Sequence, residues 1–152
     1  MAVRMKTTVT LKAQATCPSH SLSNVSVRDL AFAIDEPTER GGTNLGPTPT
    51  DTALAALIGC TNVIGHKCAK KLGVDIGHLN ISADCAFDRR GVTLSKEIDV
   101  PFQSIALHVE ASGSASAADL ARLADETEKF CPLSKLFRAA GTEITTHWST
   151  AD

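Results

Sequence analysis

Five cysteines, Cys17, Cys60, Cys68, Cys85 and Cys131, are the residues of this chain best suited to covalent chemistry. Only the thiolate is a nucleophile or a metal ligand, so what matters is which cysteine has surroundings that stabilise negative charge. Cys131 has the strongest local case. Pro132 follows it, and proline favours the first position of a helix, which makes Cys131 a predicted N-cap. Unpaired backbone N–H groups and the positive helix end there favour a thiolate. The same residue also reads as a small apolar side chain packed between two helices, and local pattern leaves both readings open. Cys60 ends an apolar run from Ala53, where free cysteine is most often a core residue. Burial raises a thiol's pKa, so reactivity at Cys60 requires a cationic neighbour, most naturally an arginine.

The other three cysteines carry weaker cases. Cys68 lies two turns beyond Cys60 on the same helical pattern and reads as structural. Cys85 falls on the inner face of a strand. Cys17, in Cys17-Pro18-Ser19-His20, reads as a loop residue with only His20 nearby. No CxxC occurs, the odd count argues against a complete disulfide framework, and no cysteine has zinc-site spacing beside a histidine pair. Neither a metal nor another cofactor is therefore expected. His66, His78, His108 and His147 show no ligand spacing and read as polar-face residues. Asp51 has two readings. An acid in a first helical turn stabilises the helix by itself, or it could orient an arginine beside a thiolate. It lies nine positions before Cys60, about 13 Å along a regular helix, so it cannot touch that thiol directly.

The elements that position these residues follow from periodicity. Val9, Leu11 and Ala13 alternate within a strand predicted over Val3 to Ala15. A second strand is predicted over Arg28 to Ile34. Asp35-Glu36-Pro37 then leads into a Gly/Pro-rich loop, Gly41 to Pro49, too rich in breakers to be a regular element. Thr48 as N-cap, Pro49 at the first position and Asp51 at the third open a long helix. Its first part is apolar on every side and is expected to be buried all round. Lys70, Lys71 and Gly73 mark its end. Leu79 to Phe87 and Ile105 to Ala111 alternate as strands. Arg89-Arg90-Gly91 is a predicted turn and Val92 to Val100 a predicted further strand. Ser116 opens a helix through Phe130, with Leu120, Leu123 and Ala124 facing inward. Pro132 opens a short helix through Ala140, and Ile144, Thr146 and Trp148 form a last strand. The predicted order is β-β-α-β-β-β-α-α-β, an α+β domain spanning 1–152.

The 152 residues fit one domain, and the net charge of −2 gives no basic surface for nucleic acid. No apolar run is long enough to cross a membrane, and the first ten residues lack a signal-peptide core. A cytoplasmic location is the expectation.

Two segments together resemble the OsmC/Ohr family. The first is Asp35-Glu36-Pro37, Gly41-Gly42 and Gly46-Pro47-Thr48-Pro49-Thr50-Asp51, leading into Leu54-Ala55-Ala56-Leu57-Ile58-Gly59-Cys60-Thr61. The second is Cys131-Pro132-Leu133-Ser134-Lys135. The resemblance implies antiparallel β-sheets packed around a long buried central helix, in an intertwined homodimer with sites at the subunit interface. It implies a peroxidase for organic hydroperoxides or hydrogen peroxide. Cys60 would be the peroxidatic thiolate and become a sulfenic acid. Cys131 would resolve it as a disulfide, and a dithiol reductant (a lipoylated protein or a small thiol) would restore both. Peroxidase members carry a glutamate at the helix start, paired with an arginine from an upstream loop. This chain has Asp51 there, and Arg40 and Arg28 are the nearest arginines.

Two other readings stand beside this one. A non-catalytic dimeric protein would bind a small hydrophobic ligand at the subunit interface, in a pocket lined by Leu54, Leu57, Phe130 and Phe137. A thiol enzyme acting on an acyl or disulfide substrate would need a histidine base beside a cysteine, and the sequence places none there.

Overall fold

A computed structural model of the chain describes residues 5–152, which form two compact units meeting in sequence at Thr52 and Ala53. In the first unit, strands β1 (Gln14–Thr16), β2 (Ser23–Val27) and β3 (Leu30–Ile34) form an antiparallel sheet in that order. Only the last residues of the strand predicted over Val3 to Ala15 pair; residues 5–13 are exposed and form no strand, and Val3 lies outside the described residues. The strand predicted over Arg28 to Ile34 is one arm of a tight hairpin. Val27 pairs with Leu30, and Arg28 turns the chain at a φ of +56°. Ser23–Val27 mixes small polar residues with valine, so its alternation is weak, and Arg28-Asp29 lacks the glycine that usually announces such a turn.

The breaker-rich loop after β3 is ordered by one side chain. Asp35 is fully buried, and its carboxylate accepts from the N–H groups of Glu36 at 2.8 Å, Thr43 at 3.1 Å and Leu45 at 3.1 Å, and from the Thr43 hydroxyl. The Asp35 N–H donates to the Pro47 carbonyl at 3.0 Å. A Cβ on Gly42 would fall on the Glu36 carbonyl, and one on Gly46 on the Ala33 carbonyl. Both glycines are present because backbone passes over backbone there.

Helix α1 (Pro49–Leu72) begins where the caps predict. The Thr48 hydroxyl accepts from the Asp51 N–H at 3.1 Å and donates to the Asp51 carboxylate at 2.7 Å. It ends in a Schellman arrangement, with Gly73 at φ +69°, its N–H on the Lys70 carbonyl, and the Val74 N–H on the Ala69 carbonyl.

In the second unit, β4 (Leu79–Phe87), β5 (Phe102–Ala111) and β6 (Glu143–Thr150) form one sheet. β4 and β5 are antiparallel, whereas β5 and β6 run parallel. The all-antiparallel expectation is corrected there. The connection from β5 to β6 is a crossover through α2 (Ala117–Phe130) and α3 (Pro132–Ala139), which is what a parallel neighbour requires. The strand predicted over Val92 to Val100 is instead a coil gathered on one oxygen. The Arg90 carbonyl accepts from Ser95 N–H, Lys96 N–H and the hydroxyls of Thr93 and Ser95.

The core lies between the inner sheet face and the helices. Ile105, Leu107, Val109, Ala111 and Ile144 of the sheet are buried, as are Leu120 and Leu123 of α2. From α1, one stripe is buried: Leu57, Thr61, Gly65, Cys68 and Ala69. The opposite side, with Ala55, Ala56, Gly59 and Val63, is exposed. The expectation of a helix buried all round is therefore not met within one chain, because only one sheet layer covers it. Gly65 admits the Trp148 ring, whose Cη2 would lie 2.9 Å from a Cβ there.

Candidate functional site

Cys60 and Cys131 pack in one apolar cluster, with Cys131 at the start of α3. Pro132 takes the first helical position and has no N–H to leave unpaired, so the first free donors of α3 are those of Leu133 and Ser134. Cys131 is the N-cap, as predicted. Its Sγ accepts from the Ser134 N–H at 3.4 Å, and the side chain is 1% exposed. Cys60, half-buried on α1, packs against the same apolar cluster as Cys131, near enough for the Cys131 thiol and the Leu133 N–H to act on its ionisation. The helix start thus presents the Ser134 N–H to the Cys131 sulfur. Both thiols are free.

Burial pushes the Cys60 thiol up, and the neighbouring Cys131 thiol adds to this by favouring the protonated form. The Leu133 N–H and the more distant Lys67 ammonium act in the opposite sense and do not overcome it. Leu57, Ile105, Phe137 and Ile144 surround the pair with Leu54 beside them, so the sulfurs sit in an apolar cluster. Cys85 belongs to the same cluster; its thiol donates to the Ala86 carbonyl at 3.7 Å, and burial raises it too.

The remaining predicted residues are placed as follows. Asp51 is exposed in the first turn of α1 and is engaged with Thr48. Arg40 is exposed and pairs with Glu36 at 2.8 Å, one turn away. Both belong to the first unit, whereas the two sulfurs belong to the second. Leu54, Leu57 and Phe137 pack in the thiol cluster. Phe130 does not; it is 54% exposed beneath the Lys71 ammonium, 5.1 Å from its ring centroid. The sequence reading did not single out the Leu133 and Ser134 N–H groups. Their signal was available in Pro132, which shifts the first free donors to those positions.

Residues 42–147 match the family model of OsmC-like proteins. The chain belongs to the OsmC-like family. Its fold is shared with solved structures across most of its length. An OsmC-like protein of Mycoplasma pneumoniae superposes with a TM-score of 0.79 at 17% identity, covering 95% of this chain and 99% of its own. An organic hydroperoxide resistance protein OsmC of Legionella pneumophila superposes at 0.68 with 16% identity, covering 97% and 100%. An organic hydroperoxide resistance protein of Elizabethkingia anophelis, with thiocyanate bound, superposes at 0.71 with 20% identity, covering 97% and 100%. At these identities the likeness is one of fold. No curated protein sequence matches this OsmC-like chain significantly. Among its described residues, no helix is long and apolar enough to cross a membrane.

Proposed function

We propose that this OsmC-like protein is a cysteine-based peroxidase for organic hydroperoxides or hydrogen peroxide. The observation that carries the reading is that Cys60 packs in one apolar cluster with Cys131, the N-cap of α3. Deprotonated Cys60 attacks the terminal peroxide oxygen, the O–O bond breaks, and the alkoxide leaves as alcohol after taking a proton. Cys60 is left as a sulfenic acid. The Cys131 sulfur then displaces hydroxide from it, forming a Cys60–Cys131 disulfide and water. A dithiol reductant returns both thiols by exchange. The Leu133 N–H favours negative charge on the Cys60 sulfur.

The chain acts as a homodimer in this reading, and Cys60 takes its cation from an arginine. Cys60 is a poor nucleophile while burial holds its proton, so the thiolate requires that additional positive charge. Arg40 and Arg28 are the candidates, with Asp51 as an orienting acid.

The test is a stoichiometric titration of the reduced protein with cumene hydroperoxide, counting free thiols. Wild type is expected to lose two thiols per chain rapidly. Cys60→Ser is expected to lose none rapidly, and Cys131→Ser to stop at a sulfenic acid that dimedone traps. If no thiol reacts faster than free cysteine, the peroxidase reading fails. The reading that remains is then a dimeric binding protein, with Leu54, Leu57 and Phe137 lining an apolar ligand site.

A further inference from the structure

We propose that α1 carries a cationic docking track for an acidic protein that brings a dithiol to Cys60. The need for a reductant rests on the peroxidase reading above, whereas the surface itself follows from helix geometry and charge.

Lys67 and Lys71 stand seven and eleven positions after Cys60. At 3.6 residues per turn the three fall within about 20° of one line along α1, and that line is about 16 Å long. Cys60 is half-buried and both lysines are exposed, so the line follows the open border of the buried stripe. From Thr52 to Val74 the chain has three lysines and no acid, although its net charge is −2. Lys70 and Lys71 suit a helix C-terminus, but Lys67 lies a turn earlier, and two lysines four positions apart repel each other. At the far end Lys71 sits over the ring of Phe130, 5.1 Å from its centroid, and that ring is exposed immediately before Cys131. The nearby acid Glu126 is paired with Lys129 at 2.8 Å, so the positive charge of α1 stays in excess.

A cationic line of this length with an aromatic ring at its end is longer than a small thiol, and it matches a protein surface that sets carboxylates around a dithiol. Redox encounters use small interfaces, and charge steers them more than buried area does. Cys131 is 1% exposed and Cys60 half-buried, so the partner's thiolate attacks the Cys60 sulfur of the disulfide. The S–S bond breaks, and Cys131 leaves as a thiolate that accepts from the Ser134 N–H. Cys60 is then joined to the partner in a mixed disulfide. The partner's second thiolate attacks its own sulfur in that bond, releases Cys60 as a thiolate and carries the oxidation away as a disulfide.

The experiment makes the same mixed disulfide from the reduced side. Full-length protein in a Cys17→Ser background, which removes the exposed thiol, is mixed with cysteine peptides activated as thionitrobenzoate disulfides and flanked by glutamates, serines or lysines. The Cys60 thiolate displaces thionitrobenzoate, and the phase that Cys60→Ser loses is the one read. At low salt the glutamate peptide is expected to react about tenfold faster than the serine peptide and the lysine peptide slowest, with the spread closing as salt rises. Lys67→Glu with Lys71→Glu is expected to reverse the order, whereas Lys96→Glu, in the coil beyond the other end of β4, leaves it. If the reversed variant does not fold, Lys67→Gln with Lys71→Gln is expected to level the order. Equal rates for the three peptides, no phase that depends on Cys60, or an order unchanged by the lysine variants would each overturn the track. Charge-ordered exchange without fast peroxide reactivity rejects the peroxidase and keeps this surface; fast peroxide reactivity without charge ordering does the reverse.

Discussion

At Asp35 a carboxylate is fully buried yet ionised, because four donors converge on it. The Thr43 hydroxyl and the N–H groups of Leu45 and Glu36 hold it well below the usual carboxylate range, against the burial that would raise it. A lowered folded-state pKa contributes stability that is present above the unfolded value and is lost as pH falls through the folded one. The unfolded value is about 3.9, so the loss begins near pH 4 and continues below it. Asp75 adds a second contribution of the same sign, since Ser114 and Gly77 lower it in the same way. Asp35→Asn is expected to lower Tm at pH 7 and to make the Tm difference from wild type shrink by pH 3, as thermal unfolding at the two values would reveal. An undiminished difference at pH 3 would mean the contribution is packing and not charge. The sequence marked the loop as ordered for a reason but not the reason, because four donors to one side chain leave no periodic trace. Cys131 was legible for the opposite cause: Pro132 fixes what its neighbour can be. Its place in one cluster with Cys60 was not legible from spacing, since nothing local to either residue relates a helix in mid-chain to a helix cap far along it.

Among the elements, those defined by caps and strong alternation were legible and those defined by backbone pairing alone were not. Helix α1 has the predicted start and end, and the inner faces of β4 and β5 are those the alternation gives. The β2 strand and the parallel placement of β6 depend on partners that no local pattern names. The coil at 92–100 alternates well enough to resemble a strand, but the Arg90 carbonyl and the Asp88–Arg90 ion pair at 2.6 Å curl it. Packing of α1 on the sheet depends on Leu57, which is 0% exposed and touches the cluster around both cysteines. Leu57→Ala is expected to destabilise by about 2–5 kcal/mol, the range for truncating a fully buried leucine. Urea unfolding should show a lower midpoint at unchanged slope. A loss below about 1 kcal/mol would mean that α1 is held mainly by something other than this stripe. The variant should also speed alkylation of Cys131, since the cavity opens beside its sulfur.

For the whole molecule the open question is what covers the surfaces that each unit leaves apolar. In the first unit Val9, Leu11, Leu30 and Phe32 are exposed. In the second, α1 turns Ala55, Ala56, Gly59 and Val63 away from the core, with Val63 51% exposed. A helix apolar on both sides is normally covered on both sides, and the homodimer proposed above supplies the second cover. Gly59 separates the two possibilities by sign. Nothing in the chain lies within 4 Å of a Cβ built there. In a monomer, Gly59→Glu therefore replaces a poor helix former with a good one at an open position, and stability should rise by about 0.5–1 kcal/mol. In a dimer packed through this face, the same change buries a carboxylate without a partner, and the complex should dissociate with a fall in Tm. The expected result is a dimeric mass for wild type in sedimentation equilibrium and a monomeric, less stable Gly59→Glu variant. A variant more stable than wild type at unchanged mass would leave the outer face of α1 to solvent, and the cation that Cys60 needs would then have to come from its own chain.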